Sequence, residues 1–175
     1  MEKDLSTFKN GGTDDFTNFI NAVIDEKAFD KITKYIDRAK ESADADIIFG
    51  GDYDKSTVYF IRPTVIQAKH ADYETMQEEL FGPVLTIFVY EDANWSDILK
   101  TVDSTSMYAL TGAVIAQDRY AIEEAAYALR HAVGNFYIHD KCTGEVVGQQ
   151  PCGGARGSGR NVQAGTKSNL LRRVL

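Results

Sequence analysis

The sequence predicts an α/β layered domain with a largely parallel sheet. Short runs rich in β-branched and aromatic residues alternate with longer stretches whose apolar residues recur at helical spacing. The chain of 175 residues is long enough for one domain with a real core, and its 43% hydrophobic and 26% charged residues are those of an ordinary globular protein. No apolar run approaches the roughly 20 residues needed to cross a bilayer.

Each element follows from its own residues. Residues 1–13, ending in "KNGG", read as a lead-in. From Lys27, the spacing of Phe29, Ile32, Ile36 and Ala39 predicts a helix that stops near Ser42. "DIIFGG" (46–51) is a strand closed by a glycine turn, and "STVYFIRPTVIQA" (56–68) is strand sequence that Pro63 divides. "PVLTIFVY" (83–90) is another strand, with Pro83 tolerable at its first position. Trp95, Ile98, Leu99 and Val102 mark a second helix, entered through "EDAN" with polar capping residues at hand. "LTGAVIA" (110–116) reads as a buried strand. Asp118 caps a third helix with the stripe Ile122, Ala125, Ala126, Leu129 and Val133. "GNFYIHD" (134–140) is a further strand, and from Cys142 onward glycine and polar residues dominate.

Composition excludes several functions. A net charge of -7 with no basic stripe argues against a general nucleic-acid surface, and Arg172-Arg173 is too short a cluster to change that. Cys142 and Cys152 make neither a disulfide framework nor a metal-ligand spacing, and a reducing compartment fits them best. The residues after Met1, "EKDLSTFKNGG", hold no signal-peptide core and no Arg-rich presequence, so no targeting address is visible. "EDANWSD" and "DKSTVYF" carry no metal pattern, and metal binding is not supported.

Two stretches invite chemistry. In "EELFGPVLTIF" (78–88), two carboxylates precede a Gly-Pro turn that feeds a strand. A polar site at the strand entrance and a solvated edge both fit that order. Adjacent strand residues point to opposite faces, so Glu78 and Glu79 are not expected to share a site; one facing a pocket with the other solvated is more natural. "GQQPCGGARGSGRN" (148–161) is glycine-dense, so its backbone can approach a ligand closely, and successive N–H groups can form an anion-binding nest with charge from Arg156 and Arg160. A flexible surface loop is the alternative. No Gly-Lys-Ser/Thr follows, so it is not a phosphate-binding P-loop. Cys142 and Cys152 are candidate nucleophiles, with His139 three residues before Cys142 as a possible base. Tolerated small residues in a glycine loop explain them as well. His131, near a helix end, reads as a dipole partner and His70 as solvated.

Several segments together resemble one family. "EELFGPVLTIFVYED" is similar to the Glu-Glu-Ile/Leu-Phe-Gly-Pro-Val signature of aldehyde dehydrogenases. "FINAVIDEKAFDKI", "VDSTSMYALTGAVIAQD" and "LRHAVGNFYIHDKCTGEVVGQQPCGGARGSG" resemble a narrower group within it, the L-glutamate γ-semialdehyde (1-pyrroline-5-carboxylate) dehydrogenases. The resemblance covers residues 14–165 and leaves 166–175 as an atypical tail. It implies the aldehyde dehydrogenase fold, specifically the C-terminal portion of the catalytic domain. By the same resemblance Glu79 holds the ribose hydroxyls at the nicotinamide end of NAD, and Phe81 packs near that ring. The N–H groups of Gly154 and Ala155 would bind the α-carboxylate of the substrate.

The departures set further expectations. The family nucleophile is a cysteine in a Gly-Gln-Lys-Cys type motif, which this sequence does not contain. The resemblance places it upstream of Met1, together with the Rossmann cofactor domain and the oxyanion-hole asparagine. Cys152 stands where an aromatic residue is usual, and His139 and Cys142 replace a usual Asn and Ser. The implied function is NAD-dependent oxidation of L-glutamate γ-semialdehyde to glutamate in proline breakdown. Its implied place is the mitochondrial matrix in a eukaryote and the cytoplasm in a bacterium. The chain alone is expected to be inactive and to associate with a full-length or complementary dehydrogenase chain. A non-catalytic interaction module is the rival reading, and a cysteine hydrolase using Cys142 or Cys152 a third.

Overall fold

The computed structural model describes residues 2–144, 146, 149 and 153–159. They fall into two compact units, Met1–Val89 and Tyr90–Leu175.

In the first unit a single turn, α1 (Glu2–Leu5), opens the lead-in. A bridge from Asn10 to Ile20 and close rings of Phe8 and Phe19 then fold the lead-in back on itself. Helix α2 (Glu26–Glu41) starts where the Asp25 carboxylate accepts the Ala28 N–H at 2.8 Å. Its buried stripe of Phe29, Ile32, Thr33, Ile36 and Ala39 follows the helical period. Strands β1 (Ala45–Phe49), β2 (Tyr53–Asp54), β3 (Phe60–Ile61) and β4 (Thr64–Ala68) follow, then one turn of helix α3 (Glu74–Gln77) and strand β5 (Val84–Phe88). The sheet order is β1-β4-β5, with β1 antiparallel and β5 parallel to β4. β4 is central, which is why four of its five residues are buried. Phe29, Ile32, Ile36, Ile61 and Leu80 form the core between α2 and the strands.

The second unit begins with a 3₁₀ turn, Asp92–Asn94, leading into α4 (Trp95–Thr105). Strands β6 (Tyr108–Ala109) and β7 (Thr111–Val114), helix α5 (Arg119–Ala128), and strands β8 (Asn135–Ile138) and β9 (Ala155–Arg156) complete it. β7 and β8 pair in parallel across the α5 crossover, and β6 pairs with β9 antiparallel. Leu99, Val114, Ala125, Leu129 and Ala132 make its core.

Local differences from the sequence reading have physical causes. Among the described residues the sheets are mixed: the parallel ladders are the two crossovers, and the other ladders are antiparallel. The 110–116 run is not buried throughout. β7 has a single described sheet partner and one packed face, so Val114 is covered while Ile115 is 82% exposed. Asn94 makes no side-chain cap, because the 3₁₀ turn tightens the entry to α4 instead. Asp118 does cap α5, accepting the Tyr120 N–H at 2.9 Å. α5 ends at Ala128, so Val133 and His131 lie beyond it. Arg130, not His131, serves the helix end, its guanidinium bonding the Tyr127 carbonyl and lying 4.2 Å from that ring.

Candidate functional site

The crossover from β4 to β5 carries the first candidate site. After α3 the chain is extended at Glu78, and the carboxylates of Glu78 and Glu79 are both exposed, so neither faces a pocket while the other is solvated. Leu80 turns inward and is 9% exposed in the core with Ile32 and Ile61. Phe81 turns outward. Its φ is +59°, a left-handed conformation that a bulky residue adopts only when its surroundings impose it, and its side chain is 82% exposed. Gly82 then passes close over α2, where an added Cβ would stand 2.5 Å from Ile32 Cδ1. The Pro83 carbonyl accepts the Thr64 N–H at 2.9 Å, delivering the chain into β5.

Two side chains of α2 hold this crossover. Lys31 Nζ donates to the Glu79 carbonyl at 2.6 Å. Arg38 forms a two-point contact with Glu74, Nε to Oε1 at 2.9 Å and a terminal nitrogen to Oε2 at 2.7 Å. Burial disfavours the Arg38 charge, but the Glu74 carboxylate and the Tyr35 hydroxyl together outweigh it and raise the guanidinium above the ordinary arginine value. Backbone and neighbour are thus gripped while Glu79 and Phe81 keep their side chains in solvent.

The second candidate site belongs to the other unit and is built from backbone. Gly153 N–H donates to Asn135 Oδ1 at 3.2 Å, and β9 pairs Ala155 with Ala109 and Arg156 with Tyr108. The Ala109 N–H reaches Ser158 Oγ at 3.0 Å, and the Gly157 N–H reaches the Met107 carbonyl at 2.9 Å. Gly154 is buried. A Cβ there would meet Ser158 Cβ at 2.4 Å and the Ser158 carbonyl oxygen at 2.5 Å, so only glycine fits. Residues 153–159 are therefore a hydrogen-bonded part of the unit, not a free loop.

Other candidates move. Arg156, read as charge for an anion nest, is instead spent on α4: it bonds the Asp103 carboxylate at 2.5 Å and the Asp103 carbonyl, from a backbone at φ +51°. His139 does not engage Cys142. Its Nε2 lies 2.5 Å from the Ala116 carbonyl, and Cys142 is an exposed free thiol. His70 is exposed and 3.6 Å from an Asp44 carboxylate oxygen. Cys152, Arg160 and the tail 166–175 lie outside the described residues. Among the described residues there is no group of three or more His, Cys, Asp or Glu placed to hold a metal, and no helix is long and apolar enough to cross a membrane. Sequence reasoning missed Lys31, Arg38 and Asp103. The seven-residue spacing of Lys31 and Arg38 puts them on one face of α2, but nothing local names their partners.

The sequence pattern of the aldehyde dehydrogenase family matches residues 1–172. The chain belongs to the aldehyde dehydrogenase family. The Dictyostelium discoideum protein named delta-1-pyrroline-5-carboxylate dehydrogenase, mitochondrial, is 55% identical over 96% of this chain and 30% of its own length. The Mus musculus protein of the same name is 49% identical over 91% of this chain and 28% of its length. The crystal structure of the delta-pyrroline-5-carboxylate dehydrogenase from Mycobacterium tuberculosis superposes with a TM-score of 0.87 at 47% identity, covering 98% of this chain and 31% of that one. The same enzyme bound with NAD gives 0.84 at 46% identity, with the same coverage of both chains. The chain thus has the aldehyde dehydrogenase fold and spans about a third of the length of these relatives.

Proposed function

We propose that this chain supplies the cofactor-ribose clamp and the substrate-carboxylate anchor of an NAD-dependent L-glutamate γ-semialdehyde dehydrogenase. The observation that carries the reading is the Glu79–Phe81 turn, a carboxylate and an aromatic ring held outward by a left-handed backbone. An exposed carboxylate fits NAD, because its two oxygens can each accept a ribose hydroxyl in charge-assisted hydrogen bonds. The Phe81 ring offers a flat apolar face to the nicotinamide. NAD, when bound, supplies the acceptor for the hydride leaving the aldehyde carbon. The N–H groups of Gly154 and Ala155 orient the aldehyde by its α-carboxylate, which suits a chain of net charge -7 that must still hold an anion. No Gly-Gln-Lys-Cys segment occurs in the 175 residues, so these residues bind and orient but form no covalent bond to substrate. By themselves they are catalytically silent and act with a full-length or complementary dehydrogenase chain. The mitochondrial names of the D. discoideum and mouse relatives support a matrix location.

The test places residues 15–165 into a full-length relative in exchange for its own segment. Glu79→Gln should weaken the ribose contacts by about 1–2 kcal/mol, seen as a raised NAD requirement with the aldehyde constant little changed. Ala155→Pro removes one N–H and should impair glutamate semialdehyde while sparing an uncharged aldehyde of similar length. Equal loss on both aldehydes would make the loop structural and the carboxylate role wrong.

A non-catalytic interaction module is favoured by a different observation. Phe16 and Ile24 in the first unit, and Ile115 and Tyr120 in the second, are each at least 80% exposed, and each unit so offers apolar side chains to a protein partner. Retention of both binding turns argues for the dehydrogenase reading over this one.

A further inference from the structure

We infer that Lys31 and Arg38 of α2 are positioning residues that set Glu79 and Phe81. The inference rests on the cofactor reading above but concerns residues which that reading does not use. The two lie seven residues apart, about two turns, and so share one face of α2. They take hold of the crossover at its two ends. Arg38 fixes Glu74, the first residue of α3, by two parallel hydrogen bonds, and its guanidinium lies 4.2 Å from the Tyr35 ring, which restricts where it can go. Lys31 fixes the carbonyl of Glu79 itself.

That carbonyl belongs to the peptide unit leading into Leu80, one residue before the left-handed turn. Leu80 is packed in the core and Gly82 is pressed onto Ile32, so the chain between them is short and pinned from below. Holding the Glu79 carbonyl toward α2 leaves the backbone a single way across, with Leu80 inward and Phe81 at φ +59° outward. Without Lys31 the peptide before Leu80 is free to rotate, and the conformation disfavoured for a bulky residue loses one of its restraints. The Lys31 ammonium also offsets part of the negative field where Glu78 and Glu79 lie side by side.

The experiment uses Lys31→Met, Arg38→Met and the conservative Lys31→Arg, which keeps a donor for the carbonyl. Amide hydrogen exchange is followed in the 175-residue chain. In Lys31→Met the amides bonded to the far side of the turn, Thr64 to the Pro83 carbonyl and Val84 to the Gly82 carbonyl, should exchange about 2- to 10-fold faster, the range set by one net hydrogen bond, with Ile32 and Ile36 unchanged. Lys31→Arg should restore the slow exchange, and Arg38→Met should accelerate residues 74–79. In the grafted full-length enzyme, Lys31→Met should raise the KM for NAD by a similar factor while kcat at saturating NAD and the aldehyde KM stay within about twofold. Unchanged exchange at Thr64 and Val84 in Lys31→Met overturns the inference, as does a parallel rise in both KM values that Lys31→Arg fails to reverse. Faster exchange at Thr64 and Val84, together with a Glu79→Gln variant silent toward NAD, supports the clamp while removing the cofactor reading.

Discussion

The turn at 78–83 and the loop at 153–159 solve opposite problems with one shared device. Each holds a non-glycine residue in the left-handed region, Phe81 at φ +59° and Arg156 at φ +51°. At the first turn the backbone is gripped from α2 so that side chains stand free in solvent. At the second, the side chains of Arg156 and Ser158 are consumed in holding the loop, and the proposed carboxylate contacts fall to the backbone. A site that binds through side chains leaves them uncommitted and recruits its restraints from a neighbouring helix. A site that binds through N–H groups needs close packing around glycine, and its own side chains become the restraints. The left-handed residue is therefore exposed in one case and ion-paired in the other.

Adding a single methyl group to each region should break the symmetry most strongly. At Gly154 a Cβ falls 2.4 Å from Ser158 Cβ and 2.5 Å from its carbonyl oxygen, and backbone cannot step aside. At Gly82 the obstruction is Ile32 Cδ1 at 2.5 Å, the far end of a flexible side chain. Gly154→Ala should therefore cost about 2–3 kcal/mol, and Gly82→Ala about 1 kcal/mol or less after Ile32 changes rotamer. The single Trp of the chain, Trp95, packs against the core of the second unit, so denaturant titrations followed by its fluorescence report Gly154→Ala directly. Far-UV circular dichroism of the same samples follows Gly82→Ala. Equal midpoint shifts would mean that both glycines serve only local turn geometry.

The same contrast explains which features could be read in the sequence. Helix α2 is legible because its stripe and stop are local, and its observed bounds lie within a residue of those expected. The division at Pro63 was legible because proline acts on its own backbone. Glu79 and Phe81 came from a resemblance, because no local rule says which of two adjacent carboxylates matters. The structure adds the alternation of Leu80 inward and Phe81 outward, which depends on Ile32 and Ile61 far away in sequence. Arg156 reads as free charge in the sequence because its partner Asp103 lies 53 positions earlier, and an ion pair at that separation leaves no trace in spacing. The exposed Ile115 reads as buried in the sequence because an apolar run says nothing about how many of its faces are covered.

A smaller effect, but one that differs in sign, should come from replacing the two left-handed residues themselves by glycine. A left-handed conformation costs a non-glycine residue about 1–2 kcal/mol, and glycine escapes that cost while losing about 0.5–1 kcal/mol more chain entropy on folding. At Phe81 the ring is 82% exposed and packs little, so Phe81→Gly should be neutral or stabilise the first unit by up to about 1 kcal/mol. At Arg156 the same relief is set against loss of the Asp103 ion pair and carbonyl contact, so Arg156→Gly should be neutral or destabilise by up to about 1 kcal/mol. Paired chemical denaturation of the two variants in low salt measures the difference, and raising the salt should shrink only the Arg156 effect, because only that contact is ionic. If Phe81→Gly proved the more destabilising of the two, Phe81 would be contributing packing that its exposure denies, and the view of it as a ring held out for a ligand would fail.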